Sequence, residues 1–189
     1  MIDCLTALHA RAIEFVDRTT GDWLPGLLAR FAFAAVLFVY FFNSAMTKFA
    51  GGPFSIADGA YFQILPSIVE AAGYDASKVA FFPWKIIVFI GSYSEVILPI
   101  LIVLGLFTRI AALGMIGFVL VQSYVDIAFH GAKAATIGAW FDNLSNAVIL
   151  DQRTLWVFLF LYLALKGAGK VSVDHLLDSR LGEGARTAA

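Results

Sequence analysis

The sequence predicts an all-α integral membrane protein: four transmembrane helices in an antiparallel bundle, with an N-terminal amphipathic helix and short interfacial helices in the first loop. Three observations carry that expectation. Of 189 residues, 60% are hydrophobic and 14% are charged, against about 45–50% and about 25% in soluble domains. The mean hydropathy is +0.83. The charges are also unevenly spread, leaving long stretches free of them. A soluble globule of this length could not bury so much apolar side chain and still cover itself with polar groups. Disorder needs the opposite composition. Thirteen Lys and Arg against fourteen Asp and Glu leave a net charge of −1, so nucleic acid is excluded as a partner for want of a basic footprint.

The elements follow in chain order. Ile2, Leu5, Leu8, Ala12 and Val16 recur at helical spacing, while Asp3, Thr6, Glu14, Asp17 and Arg18 lie away from that line. This predicts an amphipathic segment over 1–21, lying at the interface or packed on the bundle. It is not a signal peptide, because it has no continuous apolar core. Asp22 is a candidate N-cap, Trp23 a headgroup anchor, and Pro25 suits a first turn. A four-helix transmembrane domain then covers 22–171. Phe31–Thr47 is charge-free between Arg30 and Lys48; Ile86–Thr108 holds one acid, Glu95; Ile110–Val125 is uncharged; and Thr154–Leu165 is flanked by Arg153 and Lys166. Crossing the hydrocarbon takes about 20 residues, which sets the spans at about 26–48, 85–107, 109–130 and 151–169. The fourth reaches that length only with Arg153 and Lys166 snorkelling to the two interfaces.

The first loop carries the breakers Gly51-Gly52-Pro53, Pro66 and Pro83, yet is rich in apolar side chains. It should fold back on the bundle or the bilayer surface, with short helices near 58–72 and 75–82. Gly105–Thr108 makes a tight turn between the second and third spans. Trp140 and Phe141 place the third loop at the interface. In the segment 172–189, Ser172 is a candidate N-cap for a short helix over 173–181. Arg11, Arg18, Arg30, Arg109, Lys166, Lys170, Arg180 and Arg186 fall on one side, against Lys48, Lys78, Lys85, Lys133 and Arg153 on the other. The positive-inside rule then puts both termini in the cytoplasm.

Few polar residues lie at membrane depth, and each is a functional candidate because burial of a charge there costs about 2.5–3.5 kcal/mol on insertion scales. Glu95, mid-span, must be neutral, paired, or facing a polar cavity. Counting from the turn, it shares a level with Gln122 on the third span. Gln122, Asp126 and His130 follow one another at four-residue steps and make one stripe. Tyr40, Ser44 and Lys48 make a second, and Ser92 and Tyr93 reach the same layer. Lys48, Glu95, Gln122, Asp126 and His130, with Tyr93, are the candidate pocket. Against this, Asp126, His130 and Lys48 sit near span ends, where charges often only mark the interface, and Gln122 could simply pair with Glu95 to fix helix register. Arg109 and Lys166 are expected to anchor headgroups. Gly91, Gly105, Gly114 and Gly117 are expected to permit close helix approach. One cysteine, Cys4, gives no disulfide, CxxC pair or cysteine-ligated cluster. The histidines His9, His130 and His175 give neither a bis-His haem nor a closed zinc site, so no metal and no intrinsic cofactor is expected.

In their order, an acid on the second span, GLFTRIAA at 105–112, a histidine at the far end of the third span, and KGAGKVSVDHLL at 166–177 resemble the DoxX family. FFNSAMTKFAG at 41–51 is similar to the family's segment with a lysine before the first loop. Gly167-Ala168-Gly169-Lys170 departs mildly from the family's GxGR. The resemblance runs over about Leu27–Asp178. It implies a small four-helix protein of the bacterial inner membrane. One relative is described as a membrane subunit of a thiosulfate:quinone oxidoreductase, another is associated with a membrane complex of thiol and oxidative stress defence, and some occur in operons for metal stress. The reading that follows is a membrane subunit or anchor of a redox complex, in which a quinone is the candidate carrier. Glu95 and His130 would be proton donors to it, Tyr93 or Tyr124 stacking or hydrogen-bonding groups, and Lys48 a partner for developing negative charge. Membrane lipids, redox-complex subunits and a second copy of the chain are the candidate partners. The alternatives are a non-enzymatic accessory protein of stress or metal response, and a component of a small-solute transporter, for which no inverted repeat is evident. A lipid-accessible cavity lined by Glu95 and His130 favours the redox reading, and a packed Glu95–Gln122 pair favours the structural one.

Overall fold

In the computed structural model, which describes residues 2–21 and 23–187, the charge-poor stretches form four long helices. Helix α1 covers Ile2–Thr20, and α2 covers Leu24–Met46. The first loop carries α3 (Asp58–Ile64) and α4 (Pro66–Ala71). Then come α5 (Ile86–Leu104), α6 (Thr108–Ala128), the single turn α7 (Ala134–Ile137), α8 (Val148–Lys166) and α9 (Val173–Thr187). Helices α2, α5, α6 and α8 are each long and apolar enough to cross a membrane. They alternate in direction, so the start of α2 and the end of α8 lie at one end of the bundle, the near end. The protein is an all-α membrane protein with four candidate spans.

The core is aromatic. Phe33 and Phe41 of α2 are fully buried. Phe33 meets Phe160 of α8 edge-on at 5.6 Å, and Phe41 meets Trp156 at 5.9 Å and Phe118 at 6.1 Å. Such pairs add to the area they bury. Small residues of α6, Ala111 and Ala112, face this cluster and are fully buried, which lets α6 pack closely on α8. The outer faces are apolar too: Phe31, Val36, Ile110, Leu155 and Phe158 are exposed. In water that surface would be untenable; against lipid tails it is the expected outside.

Three local features depart from the expectations. The first-loop helices are shorter: beyond α3 and α4 there is one turn, Ala76–Lys78, and Phe82 is extended (φ −107°, ψ 132°), so the rod leading into α5 begins only after it. The tail helix runs to Thr187. Ser172 does cap it, its Oγ accepting the His175 N–H at 3.2 Å. Arg153 does not snorkel; its side chain is buried at the start of α8. Trp23 lies at the mouth of α2 and donates its indole N–H to the Thr19 carbonyl at 2.8 Å. Arg109 and Lys166 are exposed at the near end. Asp22, expected to cap the first span, lies outside the described residues, as does the side chain of Cys4.

Candidate functional site

Helices α5 and α6 are joined by a turn at Gly105 and diverge toward the far end. Between them, closed on one side by the end of α2 and by α3, lies a cavity of about 580 Å³. Pockets for small molecules fall between about 300 and 1,000 Å³. Glu95, Gln122, Asp126 and His130 line it together with Lys48 and Ser44. The rest of the wall is mainly aliphatic. Ile90, Ile110 and Val121 belong to it and are also exposed on the outside of the bundle, so the cavity opens sideways, where lipid lies. Gly117 explains part of the space: a Cβ built there would meet nothing within 4 Å. It widens the groove rather than bringing helices together. Gly114 does bring them together, because a Cβ there would sit 3.0 Å from Leu98.

The polar wall is built around an ion pair. Lys48 follows the last turn of α2, and its Nζ lies 2.6 Å from Glu95 Oε2. Lys48 is 5% exposed and Glu95 1%. The same ammonium reaches Ser44, with both the carbonyl and Oγ at 3.2 Å. Lys48 thus serves as more than a charge at a span end: the four-residue step from Ser44 folds its stem back along the helix. It approaches Glu95 Oε2 side-on, so that oxygen accepts no well-angled hydrogen bond. Pro99, buried four residues after Glu95, also has no N–H to offer the Glu95 carbonyl. Spans tolerate proline where the freed backbone group is met by other means.

Farther along α6, Gln122 does not pair with Glu95. Its Nε2 donates to the Tyr40 hydroxyl at 3.1 Å, and its buried Oε1 has no partner. Asp126 is held by Arg153 of α8: Nη2 lies 2.6 Å from Oδ2, while Nη1 donates to Ser123 Oγ at 3.0 Å. Arg153 is therefore the buried counterion of Asp126, and this is why it leaves the interface. His130 lies at the mouth, its Nε2 3.1 Å from the Gln63 carbonyl. As a hydrogen bond this requires the proton on Nε2. Gln63 in turn donates to Thr47 Oγ1 at 3.3 Å, tying α3 over the end of α2.

Five of the six pocket candidates thus share one cavity. Tyr93 does not: it lines a separate apolar cavity of about 410 Å³ with Met46, Phe49 and Pro53, and its hydroxyl donates to the Pro53 carbonyl. Its position on α5 points it away from α6. Tyr124 is exposed, against Phe129 at 5.7 Å. Gln63, Ser94 and Pro99 went unremarked in the sequence. The spacing of Pro99, one turn after a mid-span acid, was a usable signal. Among the described residues no group of three or more His, Cys, Asp or Glu side chains could hold a metal.

A second polar cluster sits at the near end. Arg30 is 8% exposed and donates to the carbonyls of Ile102 at 3.0 Å, Val103 at 2.6 Å and Val171 at 2.5 Å. Asp174 accepts the N–H groups of Phe107 at 2.7 Å and Thr108 at 3.0 Å, capping α6 from the tail. The turn between them needs Gly105: its φ is +69°, and a Cβ would lie 2.7 Å from Ser172 Cβ and 2.8 Å from Arg30 Cζ. Carbonyls at one helix end and N–H groups at the next are met by one cation and one anion. This clasp is architecture, remote from the cavity.

Four apolar spans around a cavity that opens sideways define a multi-pass membrane protein. The DoxX family model matches residues 26–131, more than half of the chain, and the chain belongs to the DoxX family. No curated protein and no solved structure matches it. The match takes in the five candidates that line the cavity, from Lys48 to His130, and stops before Arg153 and Asp174.

Proposed function

We propose that the chain is a membrane subunit of a redox complex and that the cavity between α5 and α6 admits the head group of a lipid-soluble carrier of the quinone class. One observation carries this reading: a cavity open to the lipid side has aliphatic walls and, at its closed end, a buried carboxylate and ammonium. A carrier of this class, when bound, supplies reversible uptake of two electrons and two protons. Lys48 and Glu95 would orient the head group, and Glu95 and His130 are the groups able to exchange protons with it. The electrons would come from a partner subunit, since one cysteine in the whole chain gives no dithiol to carry them. The same reading places the protein in a bacterial inner membrane with both termini in the cytoplasm. The test is titration of the purified full chain in nanodiscs with a short-chain ubiquinone analogue. Binding to wild type is expected to weaken at least about tenfold in Glu95→Gln and in His130→Ala. Equal binding by all three proteins, or none by wild type, would remove the reading. An accessory role without a carrier would leave wild type unable to bind.

A further inference from the structure

The cavity's polar atoms are unequally matched. Gln122 Oε1 is buried and accepts no hydrogen bond; Glu95 Oε2 is met only side-on by the Lys48 ammonium at 2.6 Å and keeps room for a further donor; both residues line the same cavity. Lys48 Nζ is engaged by Glu95 and Ser44, Gln122 Nε2 by Tyr40, and Arg153 Nη1 and Nη2 by Ser123 and Asp126; Arg153 Nε is buried without a partner, but Arg153 is not among the residues that line the cavity. A buried acceptor left unmet costs about 1–3 kcal/mol, more when it carries charge, and a hydroxyl that fills it returns much of that.

We propose that the site selects a hydrogen-bond-donating head group: the ligand class is a hydroxyl-bearing aromatic amphiphile, a phenol or hydroquinone, in preference to the same ring bearing only carbonyl or ether oxygens. This deepens the carrier reading above and rests on it. A ring hydroxyl donates to Glu95 Oε2 or to Gln122 Oε1, and a para pair of hydroxyls offers one donor to each. The ring and tail lie against the aliphatic wall of Ile87, Ile90 and Leu98 and leave between α5 and α6. A ring with acceptor oxygens alone meets two acceptors and one already paired ammonium, and leaves the mismatch in place.

The experiment uses the full chain in nanodiscs and three probes of equal tail length: an alkyl hydroquinone kept reduced, its dimethyl ether, and the matching quinone. The expected result is hydroquinone binding about tenfold or more tighter than the ether and the quinone, as one hydrogen bond to a charged acceptor implies. The carboxylate infrared band of Glu95, identified by its loss in Glu95→Gln, should shift with the hydroquinone and not with the ether. In Gln122→Leu, which keeps the Lys48–Glu95 pair, the preference should fall several-fold. Equal affinity for all three probes in wild type overturns the selection for donors while leaving the carrier reading standing. An unshifted Glu95 band with bound hydroquinone also overturns it. Absence of binding by every probe defeats both.

Discussion

Removing either member of the buried Lys48–Glu95 pair should destabilise the bundle far more than removing both. At 2.6 Å, Coulomb's law with an effective dielectric near 20 gives an attraction of about 6 kcal/mol. Taking the two ions out of water costs several kcal/mol each. With exposures of 5% and 1% neither ion recovers much hydration, so the pair is near balance. A single deletion loses the attraction and keeps one desolvated charge, a loss of about 3–5 kcal/mol. Lys48→Met and Glu95→Leu should each show that loss in reversible unfolding by SDS from mixed micelles. The double variant should recover to within about 1–2 kcal/mol of wild type, since two apolar side chains replace a pair of similar volume. Single variants that each lose under about 1 kcal/mol, or a double variant that loses their sum, would refute a desolvated pair. The first outcome would mean that water reaches the ions. The second would mean that each side chain has an independent packing role.

The near-end clasp yields a contrast between glycines. Gly105→Ala forces a Cβ onto a left-handed backbone and into Arg30 and Ser172, for a loss of about 2 kcal/mol or more, whereas Gly117→Ala enters open space and should stay within about 1 kcal/mol in the same assay. Arg30→Lys keeps the charge but cannot span three carbonyls with one rigid fork; it should lower stability by about 2–3 kcal/mol, and Asp174→Ala by about 1–2 kcal/mol through loss of a cap. In the first loop, the Asp75 carboxyl accepts from Ser77 Oγ at 2.6 Å and the Ser77 N–H at 3.0 Å, with Lys78 beside it, and these hold it below its ordinary value of 3.8. Its contribution is therefore present above that ordinary value and lost as pH falls through the lowered one. A carboxyl-carbon NMR titration should place the Asp75 midpoint below 3.8, and Ser77→Ala should raise it.

The membrane class and the four spans were legible because hydropathy is summed over about twenty residues, and single errors wash out. The cavity was legible in part for a geometric reason: in a tight antiparallel hairpin, residues equidistant from the turn share a depth, and Gln122, Asp126 and His130 share a face. Which residue pairs with which was not legible. Depth suggested Gln122 for Glu95, but the partner is Lys48, because Ser44 and the end of α2 turn the lysine inward. Arg153 read as an interface residue because it stands just before a hydrophobic run, yet Asp126 draws it inside. A one-dimensional pattern gives level and face; it does not give the rotation of one helix against another, which decides contacts. Tyr93 shows the same limit, being at the right depth and on the wrong side of α5.

The Arg30 clasp also has a consequence for the order of synthesis. Its three carbonyl partners lie 72, 73 and 141 residues farther along the chain. While the first span enters the bilayer alone, the guanidinium has only headgroups and water to satisfy it. The hairpin brings two of the acceptors, and the third arrives after the last span. The first span is thus fastened in place by a segment made only after the fourth span. A chain cut short before Val171 carries an arginine still short of a partner and an uncapped α6.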